Sequence, residues 1–260
     1  MEVNVTETEL HYEIHGDGPP LVLIEGAGLD LRMWDDQVDP LARSYRVIRY
    51  DVRGFGRTTY TRDPFQHHED LYDLLRHLGV DRAHLVGLSL GARIALDLCL
   101  EHPEVCRCLV VSGPGVSGFK WTPDRRMLPM IEAIGANDLI AAADRWLEHP
   151  YMAPAMELPH VRERLRTLAR ENSHIYRKLP NAEIELEPPA IDRLSEISVP
   201  TLLLVGTRDV ADIQTIADLL TSQIADLTRI DFEGAGHVLN MEQPERFTRE
   251  VLDFLSERCT

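Results

Sequence analysis

Short, continuous apolar runs that alternate with amphipathic segments are the feature that most constrains how this chain can fold. The first run, Leu-Val-Leu-Ile at residues 21–24, leads into a glycine-rich loop. Similar runs, each ending near a glycine or an aspartate, recur at residues 47–48, 85–86, 109–111 and 202–205. Continuous apolar runs of this length are typical of strands that are buried on both faces of a parallel sheet.

Segments with helical periodicity lie between these runs. Four leucines of residues 67–78 fall on one stripe of a helix, and residues 94–100 show the same spacing. Residues 1–15 alternate polar and apolar side chains before a turn rich in glycine and proline, which predicts a hairpin or two edge strands. The alternation of strands with helices predicts an α/β fold.

A long central segment interrupts this alternation. Residues 114–196 contain helical stretches and several prolines but no strand-like apolar run. We interpret this segment as a helical cap inserted between two parts of the α/β core, residues 1–113 and residues 197–260. Its tryptophans and methionines either pack the insertion onto the core or line a ligand pocket. On the second interpretation, the predicted substrate-binding residues of the cap are Trp121, Met127, Met130 and Trp146.

The most specific motif is Gly-Leu-Ser-Leu-Gly at residues 87–91, directly after one apolar run and directly before a helical segment. It matches the G-x-S-x-G pattern of a nucleophile elbow, in which a serine occupies a strained turn and only glycine fits the crowded flanking positions. The hydroxyl of Ser89 is then exposed at the end of the sheet, and the amide of Leu90 points to where an oxyanion would form. We therefore predict Ser89 as a nucleophile.

A serine hydroxyl needs a base, and the base needs an acid that orients it. His237 lies in a Gly-Ala-Gly-His loop that follows a strand-like segment and precedes a helix near the end of the chain. Asp209 follows the last of the apolar runs. We predict His237 as the base and Asp209 as the acid, with Asp212 and Asp231 as the nearest alternative acids.

In this set of motifs the chain resembles the α/β-hydrolases of the small, lidded type, which include carboxylesterases, 3-oxoadipate enol-lactonases and cofactor-free perhydrolases. The order Ser89, Asp209, His237 is the order of that family. Residues 51–57, Asp-Val-Arg-Gly-Phe-Gly-Arg, are similar to another of its motifs, and Trp34 follows the expected oxyanion loop. The resemblance implies a mostly parallel eight-stranded sheet flanked by helices, a helical cap inserted after the sixth strand, a catalytic triad, and no cofactor or metal.

The oxyanion loop departs from the family pattern. The usual His-Gly-x-x is replaced by Glu-Gly-Ala-Gly at residues 25–28, so a carboxylate stands where an imidazole is common. We predict Ala27 as the second oxyanion donor through its backbone amide, and Glu25, Gly26 and Val238 as further substrate-binding residues. Glu25 either hydrogen-bonds loop amides as a structural residue or, as an anion, selects neutral over anionic substrates or tunes the base.

Charge and cysteine content limit the partners. With 27 basic and 43 acidic residues the formal net charge is −16, so we expect neither nucleic acid nor a membrane as a partner. The N-terminus lacks a signal pattern and the apolar runs are short, so a cytoplasmic location is expected. The four cysteines are too few for a disulfide scaffold and lack the spacing of a zinc site. Cys106 and Cys108 would point to one face of a strand, where we expect them to pack.

The residues favour a serine hydrolase that cleaves a small carboxylic ester or lactone through an acyl-enzyme, without a cofactor. A carbon–carbon bond hydrolase or a perhydrolase with the same triad remains an alternative, as does a slow-turnover ligand-binding or sensor protein of this fold. An anionic substrate would need local positive charge, for which six cap arginines are candidates, although their helical spacing indicates a solvent-facing surface. These are Arg125, Arg126, Arg162, Arg164, Arg166 and Arg170. The sequence leaves the oligomeric state open.

Overall fold

A mostly parallel sheet runs through the protein, of which the structure, a computed structural model, describes residues 1–5, 8–60, 63–177 and 182–259. Within these ranges the strands are β1 (Glu2–Val5), β2 (Thr8–His15), β3 (Pro20–Ile24), β4 (Arg46–Tyr50), β5 (Ala83–Leu88), β6 (Cys106–Ser112), β7 (Thr201–Gly206) and β8 (Leu227–Phe232). Their order across the sheet is β1-β2-β4-β3-β5-β6-β7-β8. β2 pairs antiparallel with both β1 and β4, and all other neighbours are parallel.

Helices cover the sheet and fill the segment between β6 and β7. The α-helices of the described chain are α1 (Asp35–Leu41), α2 (His67–His77), α3 (Leu90–Glu101), α4 (Leu128–Gly135), α5 (Leu139–Leu147), α6 (Ala153–Glu157), α7 (Pro159–Glu171), α8 (Ala211–Gln223), α9 (Leu239–Glu242) and α10 (Pro244–Arg258). Short 3₁₀ helices are Leu31–Trp34, Pro103–Val105, Arg125–Met127, Pro150–Met152, Ser173–Tyr176, Ala190–Asp192 and Leu194–Glu196.

Two apolar cores form because successive strand residues point to opposite faces of the sheet. In β7, Leu203 and Val205 face a core shared with α2, α3 and α8, whereas Leu202 and Leu204 face a core shared with α1 and α10. The second core also includes side chains of α5 and α7. Each strand of this kind must be apolar on both faces, which explains the continuous apolar runs in the sequence.

The secondary structure expected from the sequence is largely confirmed. Each of the apolar runs lies within a strand, and the N-terminal alternation forms the antiparallel pair β1 and β2. The helix predicted over residues 67–78 begins at His67 and ends at His77, because Leu78 is its C-cap. The predicted helix at residues 94–100 lies inside α3, which begins at Leu90, directly after the motif serine.

Between β6 and β7, the regular secondary structure of the described residues consists of helices joined by loops, apart from one isolated bridge that pairs Glu183 with Phe65. Its buried side chains, such as Trp146, Met152 and Leu165, pack onto the core that contains α1 and α10. The division into core and cap at residues 114 and 196 stays a prediction. In the described ranges, every helix is too short or too polar to cross a bilayer.

The cysteines differ from the expectation. Cys108 and Cys259 form a disulfide, whereas Cys99 and Cys106 are buried free thiols. Cys106 and Cys108 also lie in different cores, because the register between β5 and β6 shifts and pairs Ala83 with Cys106 but His84 with Cys108. The prediction that the two point to one face was therefore wrong, and so was the prediction that Cys108 only packs.

The disulfide yields a stability prediction, since it joins residues 151 positions apart. We expect Cys259→Ser, or reduction of the wild-type protein, to lower the free energy of unfolding by about 2–4 kcal/mol, because the bridge restricts the unfolded chain. Urea denaturation followed by circular dichroism measures the change. Reductant should lower the urea midpoint of the wild type and leave that of Cys259→Ser unchanged. A wild-type midpoint that does not change with reductant would contradict the presence of the disulfide.

Candidate active site

Ser89 occupies a strained turn between β5 and α3. Its backbone has φ 56° and ψ −108°, a conformation that a residue with a side chain adopts only when its surroundings impose it. The Ser89 amide donates to the carbonyl of Ser112 over 3.0 Å, and the Ser89 carbonyl accepts from the amides of Arg93 and Gly115, each at 3.1 Å. These bonds hold the turn in place, with the side chain of Ser89 directed into a cavity.

The two glycines that flank the serine are required by close backbone contacts. A Cβ atom on Gly87 would lie 2.2 Å from the carbonyl oxygen of Gly91, and one on Gly91 would lie 2.1 Å from the carbonyl oxygen of Ile24. Both distances are far below van der Waals contact, so no other residue fits without displacing backbone. The steric reason that the sequence motif predicts therefore holds in this structure.

His237 and Asp209 meet at the same end of the sheet, in loops that follow β8 and β7. His237 Nδ1 lies 2.8 Å from Asp209 Oδ2, and the other carboxylate oxygen of Asp209 accepts from the amide of Val210 over 2.8 Å. The two alternative acids are bound elsewhere, since Asp212 accepts from Thr122 and Asp231 from Arg229. Of the three candidates, Asp209 is the one that contacts the histidine.

The surroundings of His237 favour its protonated form. Burial lowers its pKa, but the charge of Asp209 and the hydrogen bond to it outweigh burial, so the pKa of His237 is raised above its ordinary value of 6.5. Because a carboxylate can only accept, the bond to Asp209 puts the proton of the neutral ring on Nδ1 and leaves the lone pair on Nε2. The imidazole can then take up a proton at Nε2.

Glu242, which the sequence analysis did not select, holds the histidine loop. Its carboxyl oxygens accept from the amides of Gly236 at 2.7 Å and Val238 at 3.1 Å, on either side of His237. Burial raises the pKa of Glu242, although these two hydrogen bonds oppose the shift. An acidic residue five positions after a loop histidine is the sequence signal that could have revealed this role.

A cavity of about 110 Å³ lies beside Ser89 and His237. It brings together seven residues selected from the sequence, namely Gly26, Ala27, Ser89, Trp121, Trp146, His237 and Val238. Six further lining residues were not predicted: Leu29, Leu88, Tyr151, Met152, Val210 and Ile213. In the described part of the chain, neither arginine nor lysine lines this cavity, so its walls are apolar apart from the serine, the histidine, ring polar atoms and backbone amides.

Two of the predicted cap residues lie away from this cavity. Met127 lines a neighbouring groove of about 410 Å³, which shares Trp121, Tyr151 and Val210 with the cavity. Met130 is partly buried and packs against the core. Met127 ends a 3₁₀ helix and Met130 lies in α4, both before α5.

Two backbone amides near Ser89 are available to a ligand. Among the described residues, neither the amide of Ala27 nor that of Leu90 donates a hydrogen bond. Ala27 follows Gly26, whose Cα faces the Ser89 side chain so closely that a Cβ there would lie 3.6 Å from the serine Cβ. Leu90 is the first residue of α3, where the helix dipole favours a negative charge. The arrangement can hold an oxyanion.

Glu25 lies behind the cavity rather than on its wall. It is completely buried, and its Oε1 accepts from the amide of Val52 over 2.7 Å, while Oε2 has no partner among the described residues. Arg53, a candidate partner for its charge, instead binds Asp70 over 2.7 Å. Burial, reinforced by the charge of Asp51, raises the pKa of Glu25 well above its ordinary value. This shift favours the neutral form of the carboxyl group and with it the structural interpretation of Glu25.

The six cap arginines lie at the surface, as their spacing indicates. Arg126 pairs with Asp124, Arg164 with Asp36, Arg166 with Glu163 and Arg170 with Asp144. Arg125 is exposed, and Arg162 donates to the carbonyl of Met156. These side chains do not supply positive charge to the cavity beside Ser89.

The chain is similar over nearly its whole length to proteins of one fold family. The alpha/beta hydrolase fold family matches residues 19–244. The chain is 28% identical over 264 residues to 3-oxoadipate enol-lactonase 1 of Acinetobacter baylyi, covering 98% of this chain and 96% of that protein. It is 30% identical over 265 residues to 2-hydroxy-6-oxononadienedioate/2-hydroxy-6-oxononatrienedioate hydrolase of Burkholderia vietnamiensis, covering 96% and 92%.

Among solved structures, the enol-lactonase from Burkholderia xenovorans LB400 matches with a TM-score of 0.83 at 27% identity, over 99% of this chain and 100% of that one. The chain belongs to the alpha/beta hydrolase fold family, and the predicted fold class is confirmed. The prediction that it is an α/β-hydrolase enzyme is likewise confirmed.

Because Gly91 packs directly against the carbonyl oxygen of Ile24, a single methyl group added at this position should destabilise the folded protein. We expect Gly91→Ala to lower the free energy of unfolding by about 1–3 kcal/mol or more, because its Cβ would overlap a backbone oxygen. Gly135→Ala is the matched control, since a Cβ on Gly135 meets nothing within 4 Å. Urea denaturation of both variants measures the difference, and equal midpoints would refute the steric argument.

The raised pKa and complete burial of Glu25 predict that its charge has no part in substrate selection. Glu25→Gln keeps the shape of a protonated carboxyl group, so we expect the ratio of kcat/KM for a neutral ester to that for its carboxylate-bearing analogue to change by less than about twofold, or about 0.4 kcal/mol. Steady-state kinetics at low and moderate salt give the ratio. A larger change that shrinks with salt would restore the charge-selection hypothesis.

Proposed function

We propose that the protein is a serine hydrolase that cleaves a small, uncharged carboxylic ester or lactone through an acyl-enzyme. The observation that carries this proposal is the common cavity of Ser89 and His237, with Asp209 bound 2.8 Å from the far ring nitrogen of the histidine. That constellation matches the nucleophile, base and orienting acid of acyl transfer. The relative named as an enol-lactonase supports the same reaction class.

The first half of the proposed reaction forms the acyl-enzyme. Ser89 Oγ attacks the carbonyl carbon while His237 Nε2 removes the hydroxyl proton. The carbonyl oxygen becomes an oxyanion, which the amides of Ala27 and Leu90 stabilise. The bond between carbon and the alcohol oxygen then breaks, and His237 transfers its proton to that oxygen, so the alcohol leaves neutral. In a lactone, the alcohol stays tethered to the acyl group.

Water completes the proposed reaction. His237, neutral again, removes a proton from a water molecule that attacks the acyl carbon, and the same two amides hold the second oxyanion. Collapse of this intermediate returns the proton to Ser89 Oγ and releases the carboxylic acid. Asp209 keeps the imidazole in the required tautomer and stabilises its protonated form in both halves.

The size and walls of the site support a small, uncharged substrate. The cavity of about 110 Å³ is below the roughly 300–1,000 Å³ of sites for drug-sized ligands, so the part of the substrate beside Ser89 must be small. A larger substituent has room in the adjoining groove past Trp121 and Tyr151. Since the described lining offers no arginine or lysine, a carboxylate in the cavity would lose its hydration without a partner.

A carbon–carbon bond hydrolase with the same residues is the second candidate, because one relative at 30% identity is named for a dienedioate substrate. A dioate carries two carboxylates, for which this cavity provides no cationic side chain among the described residues. A panel of neutral short esters, lactones and vinylogous diketones separates the candidates. Highest kcat/KM for a diketone would favour carbon–carbon cleavage over the proposed function.

The proposal predicts the loss of activity when members of the triad are removed. We expect Ser89→Ala to lower kcat for p-nitrophenyl esters of short acids by about 10⁴–10⁶-fold, and Asp209→Asn by about 10⁴-fold through the wrong histidine tautomer. Ser222→Ala and Asp231→Asn, at surface positions away from the cavity, are the matched controls and should retain activity. Substantial turnover by Ser89→Ala would contradict the proposal. A stoichiometric burst without further turnover in the wild type would favour a ligand-binding or sensor protein.

The proposal also predicts a pH profile. Neutral His237 is the base, so kcat/KM should rise with pH through the pKa of His237, which lies above 6.5 because Asp209 outweighs the effect of burial. Removing the charge in Asp209→Asn should shift the midpoint of the residual activity to lower pH. Rates measured across the titration in a constant-ionic-strength buffer test both statements. A flat wild-type profile, or an unshifted midpoint in the variant, would contradict a histidine base oriented by Asp209.

A further inference from the structure

Three side chains with metal-binding atoms meet at the opposite end of the sheet from Ser89. His84 is the second residue of β5, whereas Ser89 follows the last residue of the same strand. A ring nitrogen of His84 and the sulfur atoms of Cys108 and Cys259 all lie within 4.8 Å of one another. The exposed fractions of the three residues are 2%, 1% and 7%, so the cluster is enclosed by protein.

Tertiary structure brings these residues together from three separate segments. The parallel register of β5 and β6 pairs His84 directly with Cys108. α10 crosses the same face of the sheet and ends at Arg258, so that Cys259 follows it onto the cluster. The rings of Tyr45 and His84 pack edge to face with their centroids 5.6 Å apart, and this contact limits rotation of the His84 ring. The cluster is thus held by the sheet, by a helix end and by an aromatic contact.

One ring nitrogen of His84, Nδ1, is buried without a hydrogen-bond partner among the described residues. Leaving such an atom unpaired destabilises the folded protein, so an unpaired buried nitrogen needs an explanation. A neutral imidazole has one ring nitrogen without hydrogen, and the lone pair of that nitrogen can bind a metal ion.

We propose that His84, Cys108 and Cys259 form a redox-gated site for a thiophilic metal ion, Zn²⁺ or Cu⁺, which binds when the disulfide is reduced. Two thiolates and one neutral imidazole are ligands that both ions prefer. Three protein ligands complete a trigonal Cu⁺ site, or leave a tetrahedral Zn²⁺ with one position for water. In the oxidised protein the sulfur atoms are bonded to each other and are not available as thiolates.

The interconversion balances with a dithiol reductant as the co-reactant. The reductant transfers two electrons and two protons to the Cys108–Cys259 bond, which becomes two thiols, and is itself oxidised to a disulfide. Binding of the metal ion then releases the two thiol protons, and the imidazole donates a lone pair without losing a proton. Either the disulfide or the metal ion ties the end of α10 to β6, so the metal-free dithiol is the form in which this link is absent.

The test uses the full-length protein after anaerobic reduction by dithiothreitol and removal of the reductant. A denatured aliquot should then titrate four thiols, against two in the oxidised protein. Zn²⁺ and Cu⁺ are added separately in competition with a chromophoric chelator, and Co²⁺ serves as a spectroscopic probe of thiolate ligation. We expect one equivalent of at least one of the two ions in the reduced protein and none at this site in the oxidised protein.

Variants assign the bound ion to this cluster. We expect Cys259→Ser and His84→Asn to weaken binding by at least about tenfold, since even outer-shell changes have effects of this size. Cys106→Ser, which removes a buried thiol outside the cluster, is the matched control and should bind as the wild type does. Cys259 is the C-cap of α10 and lies outside the sheet, so its variant provides a second test if His84→Asn fails to fold.

Three results would overturn the proposal. One is a reduced protein with four free thiols that binds neither Zn²⁺ nor Cu⁺. Another is unchanged affinity, and an unchanged Co²⁺ charge-transfer band, in Cys259→Ser, which would place the ion elsewhere. The third is a disulfide that dithiothreitol reduces only after the protein unfolds, because the site requires a folded dithiol form.

Discussion

The close contact between the start of α3 and the end of β3 is the constraint on which the site depends. Gly91 approaches the carbonyl oxygen of Ile24 so closely that even a methyl group is excluded. This contact sets the turn that carries Ser89 beside the loop that carries Ala27, so backbone packing positions the serine and two unpaired amides together. Groups placed by rigid backbone need little reorganisation when charge develops on a substrate, which is how such sites stabilise an oxyanion.

The parallel sheet then supplies the remaining groups. The loop with Ala27 follows β3, Ser89 follows β5, Asp209 follows β7, and His237 follows β8. Because the carboxyl ends of parallel strands lie at one edge, residues far apart in sequence converge there. The helical segment after β6 closes over this edge and contributes Trp121, Trp146 and Tyr151 to the cavity, whose apolar walls oppose the entry of an unpaired charge.

The departures from expectation have separate physical causes. The sequence suggests that Glu25 is an anion near the site, but its complete burial raises the pKa of the carboxyl group and favours the neutral form. Met127 and Met130 are of a residue type that often lines pockets, yet Met127 lines the neighbouring groove and Met130 packs against the core. A register shift turns Cys108 toward α10, where it lies beside Cys259 and His84. The spacing of these three residues in the sequence does not indicate that they are in contact.

The sequence by itself determined the strands, the main helices, the elbow with its glycines, and the loops that carry His237 and Asp209, because each depends on local periodicity or on a short motif. Tertiary structure alone decided which side chains line the cavity, that Glu25 is completely buried, and that Glu242 holds the histidine loop. It also decided that His84, Cys108 and Cys259 meet. These features depend on distances between segments far apart in the chain and on burial, which local patterns do not encode.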